Sequence, residues 1–284
     1  MVGVRSRGAR IRSNVFAYAN LAPYVFFVLF PFYFMLVTSF KSNAELYNLK
    51  SIPFWIQSGA ILDHYALLFE KTDFVTWMKN SLLVAVVATT VSVVISILAG
   101  YSLARLRFRG AGSFGTAVFI TYLVPPTLLF LPLSQVVVWL GLADSITSLM
   151  VTYPTFLVPF CTWLLMGYFR TIPFELEECA LIDGATRWQI LAKIVLPLAV
   201  PGLISAGIFA FTLSWNEFIY ALTFISSSEV KTVPVGVVTE LVEGDVYHWG
   251  ALMAGALLGS LPVAVMYSFF VEYYVSGMTG AVKE

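Results

Sequence analysis

The sequence predicts an all-helical integral membrane protein with six spans, both termini in the cytoplasm and a short cytoplasmic helical segment between the fourth and fifth spans. Three observations predict it. The chain is 59% hydrophobic and only 11% charged, where a soluble domain carries about 25% charged residues, so it cannot cover itself with polar surface. Six apolar runs, at about 15–40, 77–104, 112–140, 145–169, 194–225 and 250–276, reach the roughly 20 residues that a helix needs to cross a hydrocarbon core of about 30 Å. With the N-terminus inside, basic residues favour the inside segments by about two to one and every arginine falls there, as the positive-inside rule expects.

Residues 1–14 form a basic cytoplasmic N-terminus holding Arg5, Arg7, Arg10 and Arg12, and 15–284 read as one transmembrane domain. The first run exceeds the 7–15 apolar residues of a cleavable signal, and no small-residue cleavage site ends it. It is expected to remain as a span. The outer loop that follows holds Lys41, Lys50, Lys71, Glu45, Asp63 and Glu70. The second span ends at a basic cluster, Arg105, Arg107 and Arg109. The third is interrupted by Pro125, Pro126 and Pro132. Such breaks are tolerated where backbone is buried in protein or lines a cavity, so this span reads either as a flexible gate with Gln135 on the path or as a static kink. Asp144 precedes the fourth span, which ends at Arg170.

The segment from about 171 to 193, TIPFELEECALIDGATRWQILAK, is one of the few charge-bearing stretches of the chain. Thr171 and Pro173 suit the start of a short helix. Glu175, Glu177 and Glu178 then sit at the positive end of its dipole, and Gly184 suits the left-handed residue that ends it. Thr186 suits the cap of a second helix in which Trp188, Leu191 and Val195 share a face, and Pro197 and Pro201 mark its bend into the fifth span. The acids are expected to face water or a partner and the apolar residues the bundle. An interfacial anchor is one reading. Anchors usually carry Lys or Arg toward anionic lipid, whereas acids suit a basic protein partner.

The fifth span carries SWNEFIYALTF. A carboxylate in the bilayer usually faces the bundle interior or a watery cavity, and Trp215, Asn216, Glu217 and Tyr220 together offer hydrogen bonds and aromatic faces to a sugar-like solute. The alternative is that Asn216 and Glu217 tie helices together. The loop at 226–248 is acidic and polar and is expected outside; Lys283, near the C-terminus, is expected inside. His64 and His248 lie in outside loops, apart from Cys161 and Cys179, so the sequence suggests no metal centre or disulfide framework. A phosphate-binding GxxxxGK[ST] loop, an HExxH zinc motif and a GxSxG nucleophile elbow are all missing. The reading is a non-catalytic protein of the lipid bilayer, with no nucleic-acid partner.

EECALIDGATRWQILAKIVLP resembles the EAA loop of ABC-importer permeases, through Glu178, Cys179, Ala180, Gly184, Ile194, Leu196 and Pro197, with Asp183–Ala185 also family-like. Cys179 stands where that family usually has alanine. NSLLVAVVATT, GYSLARLRFRG, LGLADS, SWNEFIYALTF and SGMTGAVKE extend the resemblance toward permeases for oligosaccharides and polyols, notably the smaller six-span subunit of maltose-type transporters. The resemblance implies that Glu178, Cys179, Ala180, Asp183, Gly184 and Ala185 form a coupling helix docked on an ATPase. It implies two ATPase subunits that hold ATP and Mg, a second homologous permease and an extracytoplasmic binding protein. The chain itself would need no cofactor. Permeases for amino acids, phosphate or peptides share the loop, and a proton-coupled transporter using Glu217 or a membrane scaffold are readings of other classes.

Overall fold

A backbone in hydrocarbon has no water to bond with, so long apolar runs satisfy their amides as helices. The computed structural model, which describes residues 7–106, 108–244 and 246–280, is built almost entirely from such helices. Arg5, Arg107, Asp245 and Lys283 lie outside the described residues. Contacts divide the chain into two compact units, one of residues up to 72 with 237–258, the other of 73–236 with 259 onward.

In the first unit, α1 (Arg7–Ser39) leads into α2 (Asn43–Leu46) and α3 (Asp63–Lys71). What reads as an outer loop is a folded cap. Lys41 and Glu45 are both buried and pair at 3.2 Å. Lys41 Nζ also donates to the Ile52 carbonyl at 2.6 Å. The Glu45 carboxylate accepts the Gln57 and Ser58 amides at 3.0 Å each and the Ser58 hydroxyl at 2.6 Å. These bonds, led by the Ser58 hydroxyl, hold its pKa down to about 2. His64 is not a loop residue: it is buried on α3, with its ring 2.7 Å from the Lys41 carbonyl. The loop near 240 adds an unforeseen hairpin, β1 (Val242–Glu243) antiparallel to β2 (Val246–Tyr247), in register Val242↔Tyr247. Gly244, at φ +60°, supplies the positive φ such tight turns require.

In the second unit, α4 (Phe74–Arg105) packs chiefly on α8 (Pro154–Arg170) and α12 (Val200–Trp215). Its buried face repeats small residues, Ser81, Ala85, Ala88, Ser92, Ser96 and Gly100, at three- or four-residue spacing, which lets helix backbones approach. A Cβ added at Gly100 would stand 3.3 Å from the Met166 amide nitrogen, so α4 and α8 nearly touch there. At the other end of α4, Ser81 Oγ accepts the Val233 amide at 2.8 Å, at the start of α14 (Val233–Glu240).

The remaining expected spans are bent to different degrees. α5 (Ala111–Leu123) and α6 (Pro126–Trp139) turn through 92° at the Pro125–Pro126 break. α7 (Ile146–Thr152) and α8 together make one candidate span of 25 residues. The expected fifth run is broken twice. The stretch from α10 (Arg187–Ile190) through a π turn at Leu191–Val195 to α11 (Leu196–Leu198) meets α12 at 79°. α12 then stops at Trp215, and a short α13 (Ile219–Phe224) follows. α15 (Trp249–Gly280) is continuous. The described residues hold four helices long and apolar enough to cross a membrane, or up to six spans if each bent pair counts as one.

The later halves of the two broken runs are tied together. Tyr220 on α13 donates its hydroxyl to the Pro126 carbonyl at 3.0 Å. Asp144 adopts φ +55°, unusual outside glycine but easiest for Asn and Asp. Its amide donates to the Phe224 carbonyl at 2.9 Å, and its carboxylate accepts the Ser226 and Ser227 amides at 2.9 Å each and the Ser227 hydroxyl. Those bonds, the Ser227 hydroxyl first, lower its pKa.

Candidate functional site

α9 (Glu175–Ile182) and α10 form a hinged pair between α8 and α12, as the glycine and the acids suggest, though the start differs from expectation. Thr171 ends α8, its hydroxyl donating to the Tyr168 carbonyl at 2.8 Å, and Phe174, which makes no side-chain cap, precedes α9. Pro173 lies two residues ahead of the helix rather than in its first turn. The turn follows the sequence closely. Gly184 takes φ +82°; its amide donates to the Leu181 carbonyl at 3.1 Å, and the Ala185 amide to the Ala180 carbonyl at 2.9 Å. That pair of bonds is the Schellman ending of a helix. Thr186 then caps α10 reciprocally with Gln189, accepting its amide at 3.3 Å while the Gln189 side chain accepts the Thr186 amide at 2.8 Å.

The two faces of this elbow do not divide acids from apolar residues as expected. Ala180 and Ala185 are half-buried and pack against the core, and Glu178, Cys179, Asp183 and Gly184 are exposed. Ile182 is 86% exposed and Trp188 69%. Trp188 therefore does not share the inward face of Leu191 and Val195, which are buried. The outward face of the elbow thus mixes large apolar side chains with acids.

Glu177, in contrast, is fully buried. Its carboxylate lies 3.1 Å from Arg105 Nε and 3.5 Å from Arg187 Nη1, and accepts the Tyr101 hydroxyl at 3.1 Å. The Arg105 Nε contact is an ion pair whose angle departs from that of a hydrogen bond. Arg105 also donates from Nη2 to the Ile172 carbonyl and places its guanidinium 5.7 Å from the Phe174 ring centre. Sequence reasoning grouped Glu177 with its exposed neighbours. Its spacing, three residues before the inward Ala180, is the signal that sets it apart.

The aromatic and polar residues of the fifth run converge on the break after α12. Trp215 is buried and its indole N–H donates to the Gly259 carbonyl at 3.0 Å. Glu217 lies in the break, where its carboxylate accepts the Tyr220 amide at 2.8 Å, the Ala221 amide at 3.1 Å and the Tyr153 hydroxyl at 2.9 Å. It thereby satisfies the free amides at the start of α13. Tyr220 is buried, whereas Asn216 is exposed, its amide donating to the Thr212 carbonyl at 2.8 Å. Gln135 is exposed on α6. The described residues hold no cluster of His, Cys, Asp or Glu suited to a metal ion.

A profile of the family described as binding-protein-dependent transport system inner membrane component matches residues 92–280. Over 277 residues the chain is 38% identical to the inner membrane ABC transporter permease protein YcjP of Escherichia coli K12, covering 96% of this chain and 98% of that one. It is 36% identical to the sulfoquinovosyl glycerol transport system permease protein SmoH of Agrobacterium fabrum, with 88% and 87% covered. It is 32% identical to the diacetylchitobiose uptake system permease protein DasC of Streptomyces coelicolor, with 93% and 96% covered. The fold matches a chain in the crystal structure of a bacterial ABC transporter involved in import of the acidic polysaccharide alginate, at TM-score 0.76 and 22% identity, covering 96% of this chain and all of that one.

Proposed function

This chain belongs to the family of binding-protein-dependent transport system inner membrane components, and from that premise we propose that it is a permease subunit of an ATP-driven importer for a sugar, oligosaccharide or polyol. The solute class is supported by the names of the relatives SmoH and DasC. Each bent helix pair counts as one span, which gives six, with both termini and the α9–α10 elbow in the cytoplasm. The observation that carries the reading is the elbow's outward face. Exposed Ile182 and Trp188 stand beside Glu178 and Asp183, a mixture suited to a groove in a protein that offers both apolar contacts and arginine.

An ATPase subunit would bind beneath the elbow, and a second permease of the same family would complete the path and bring a second ATPase. ATP and Mg belong to those partners. Closure of the ATPases would push the elbow, and the bent spans would carry the movement upward, while an extracytoplasmic binding protein delivers the solute. Asn216 and Gln135, both exposed, are the side chains best placed to meet it. Trp215, Glu217 and Tyr220 serve the path by holding the break open. The Glu217 carboxylate is already engaged by two amides and a phenol, which suits it to holding the break.

The test is co-purification from membranes with the ATPase and the binding protein, followed by a solute screen on the latter. Recovery of an ATPase that Glu178→Ala or Trp188→Ala releases is expected. A chain that supports uptake with no ATPase bound would overturn the reading.

A further inference from the structure

Three elements meet on one buried carboxylate. Glu177 stands on α9, Arg105 and Tyr101 on the last turns of α4, and Arg187 on the first residue of α10. We infer that Glu177 is a positioning residue that fastens the elbow to α4, so that a push received on the outward face moves the span instead of only the loop. The inference rests on the elbow being the ATPase contact.

The arrangement is one-sided in a way that suits this role. The residues available to a partner, Glu178, Cys179, Ile182, Asp183 and Trp188, are exposed, whereas Glu177, immediately before them in sequence, is fully buried. Two adjacent acids therefore have opposite assignments, one outward and one toward α4. The apolar seating of the elbow on its inner side includes the small side chains Ala180 and Ala185, which by themselves resist sliding weakly. Arg105 supplies what they lack. It grips the carboxylate of α9, the Ile172 carbonyl ahead of it and the face of Phe174 at its N-terminus. Arg187, with its side chain 45% exposed, draws the second arm of the elbow to the same carboxylate, so α9 and α10 are joined there as well as through the Gly184 turn.

A buried ion pair is weak evidence of stability, because desolvation offsets most of its attraction and an apolar pair of similar volume often serves as well. What it supplies is fixed direction, and direction is what a lever needs. A merely stabilising cluster and a transmitting one therefore predict different behaviour when the charges are replaced by apolar groups.

The experiment uses the complete complex in lipid nanodiscs, with ATP, Mg and vanadate as the only ligands. Maleimide labelling is followed by peptide mapping at two thiols: native Cys179, exposed on the elbow, and an Asn216→Cys thiol at the distant break; Cys161 is buried. In the parent, ATPase docking is expected to protect Cys179, and ATP with vanadate to change labelling at 216. Glu177→Gln is expected to keep Cys179 protected but abolish the nucleotide response at 216, and Glu177→Asp to recover part of it. The apolar double variant Glu177→Met with Arg105→Met is expected to assemble and to remain unresponsive. A normal response in Glu177→Gln or in the Met pair overturns the proposal. So does loss of Cys179 protection in Glu177→Gln, which would confine the residue to assembly. An unprotected Cys179 in the parent complex overturns the docking reading itself, and the transmission proposal with it.

Discussion

Replacing Gly184 tests the elbow with the fewest confounding effects. The residue sits at φ +82°, and a Cβ built there meets nothing within 4 Å. Crowding therefore contributes nothing, and the whole cost of a side chain is the left-handed backbone, about 1–2 kcal/mol for an ordinary L-residue. That amount corresponds to a change of about 5–30-fold in a conformational equilibrium. The strained form can relax only by giving up the Gly184 and Ala185 amide bonds that close α9, which would swing α10 away from it. Titrating purified ATPase against the nanodisc-embedded chain should thus give a Kd for Gly184→Ala raised by about 5–30-fold. Gly184→Asn should lie between Gly and Ala, because asparagine tolerates this region, and Gly184→Val, with its branched Cβ, should be worst. Kd values within twofold of the parent for both Ala and Val would refute the reasoning, since they would show that the ATPase does not depend on this turn.

The capping box gives a smaller effect: Thr186→Ala should lower the stability of α10 by about 1 kcal/mol, seen as faster amide exchange at Gln189. Tyr220→Phe removes the hydroxyl that bonds the Pro126 carbonyl and should destabilise the protein by about 0.5–1.5 kcal/mol in a graded-detergent unfolding assay. Glu45 predicts a pH dependence. Its folded pKa is depressed to about 2 from an ordinary 4.5, so its contribution to stability is fully present above the ordinary value and is lost as pH falls through that window. Exchange of the Gln57 and Ser58 amides should quicken over that range, and Glu45→Gln should flatten the profile.

The run lengths, the hinge at Gly184, the cap at Thr186 and the bend near Pro197 and Pro201 were all readable, because each rests on a few neighbouring residues. Hydropathy reports the length of a run but not its direction, so the 92° turn between α5 and α6 showed only as three prolines with two possible meanings. Glu177 and Glu178 carry the same side chain at adjacent positions. Which of them turns inward is decided by Arg105 and Tyr101, more than 70 residues earlier in the chain. The burial of Lys41 and Glu45 is hidden for the same reason. Charges in an outer loop look solvated until the turn that brings Ser58 and Ile52 to them is known. Ile182 and Trp188 illustrate the reverse, since a hydrophobic pattern points apolar residues at the bundle whereas these two are exposed.

Asp144 and Tyr220 have a consequence for how this end of the second unit can deform. Two rivets, one at the Pro126 carbonyl and one at Ser226 and Ser227, join the short α13 to the stretch that begins with α6, like a panel fixed at both corners. Neither interrupted helix can tilt without carrying the other. A tilt of one interrupted helix would then be felt at the other, and loosening either rivet would let the two move separately.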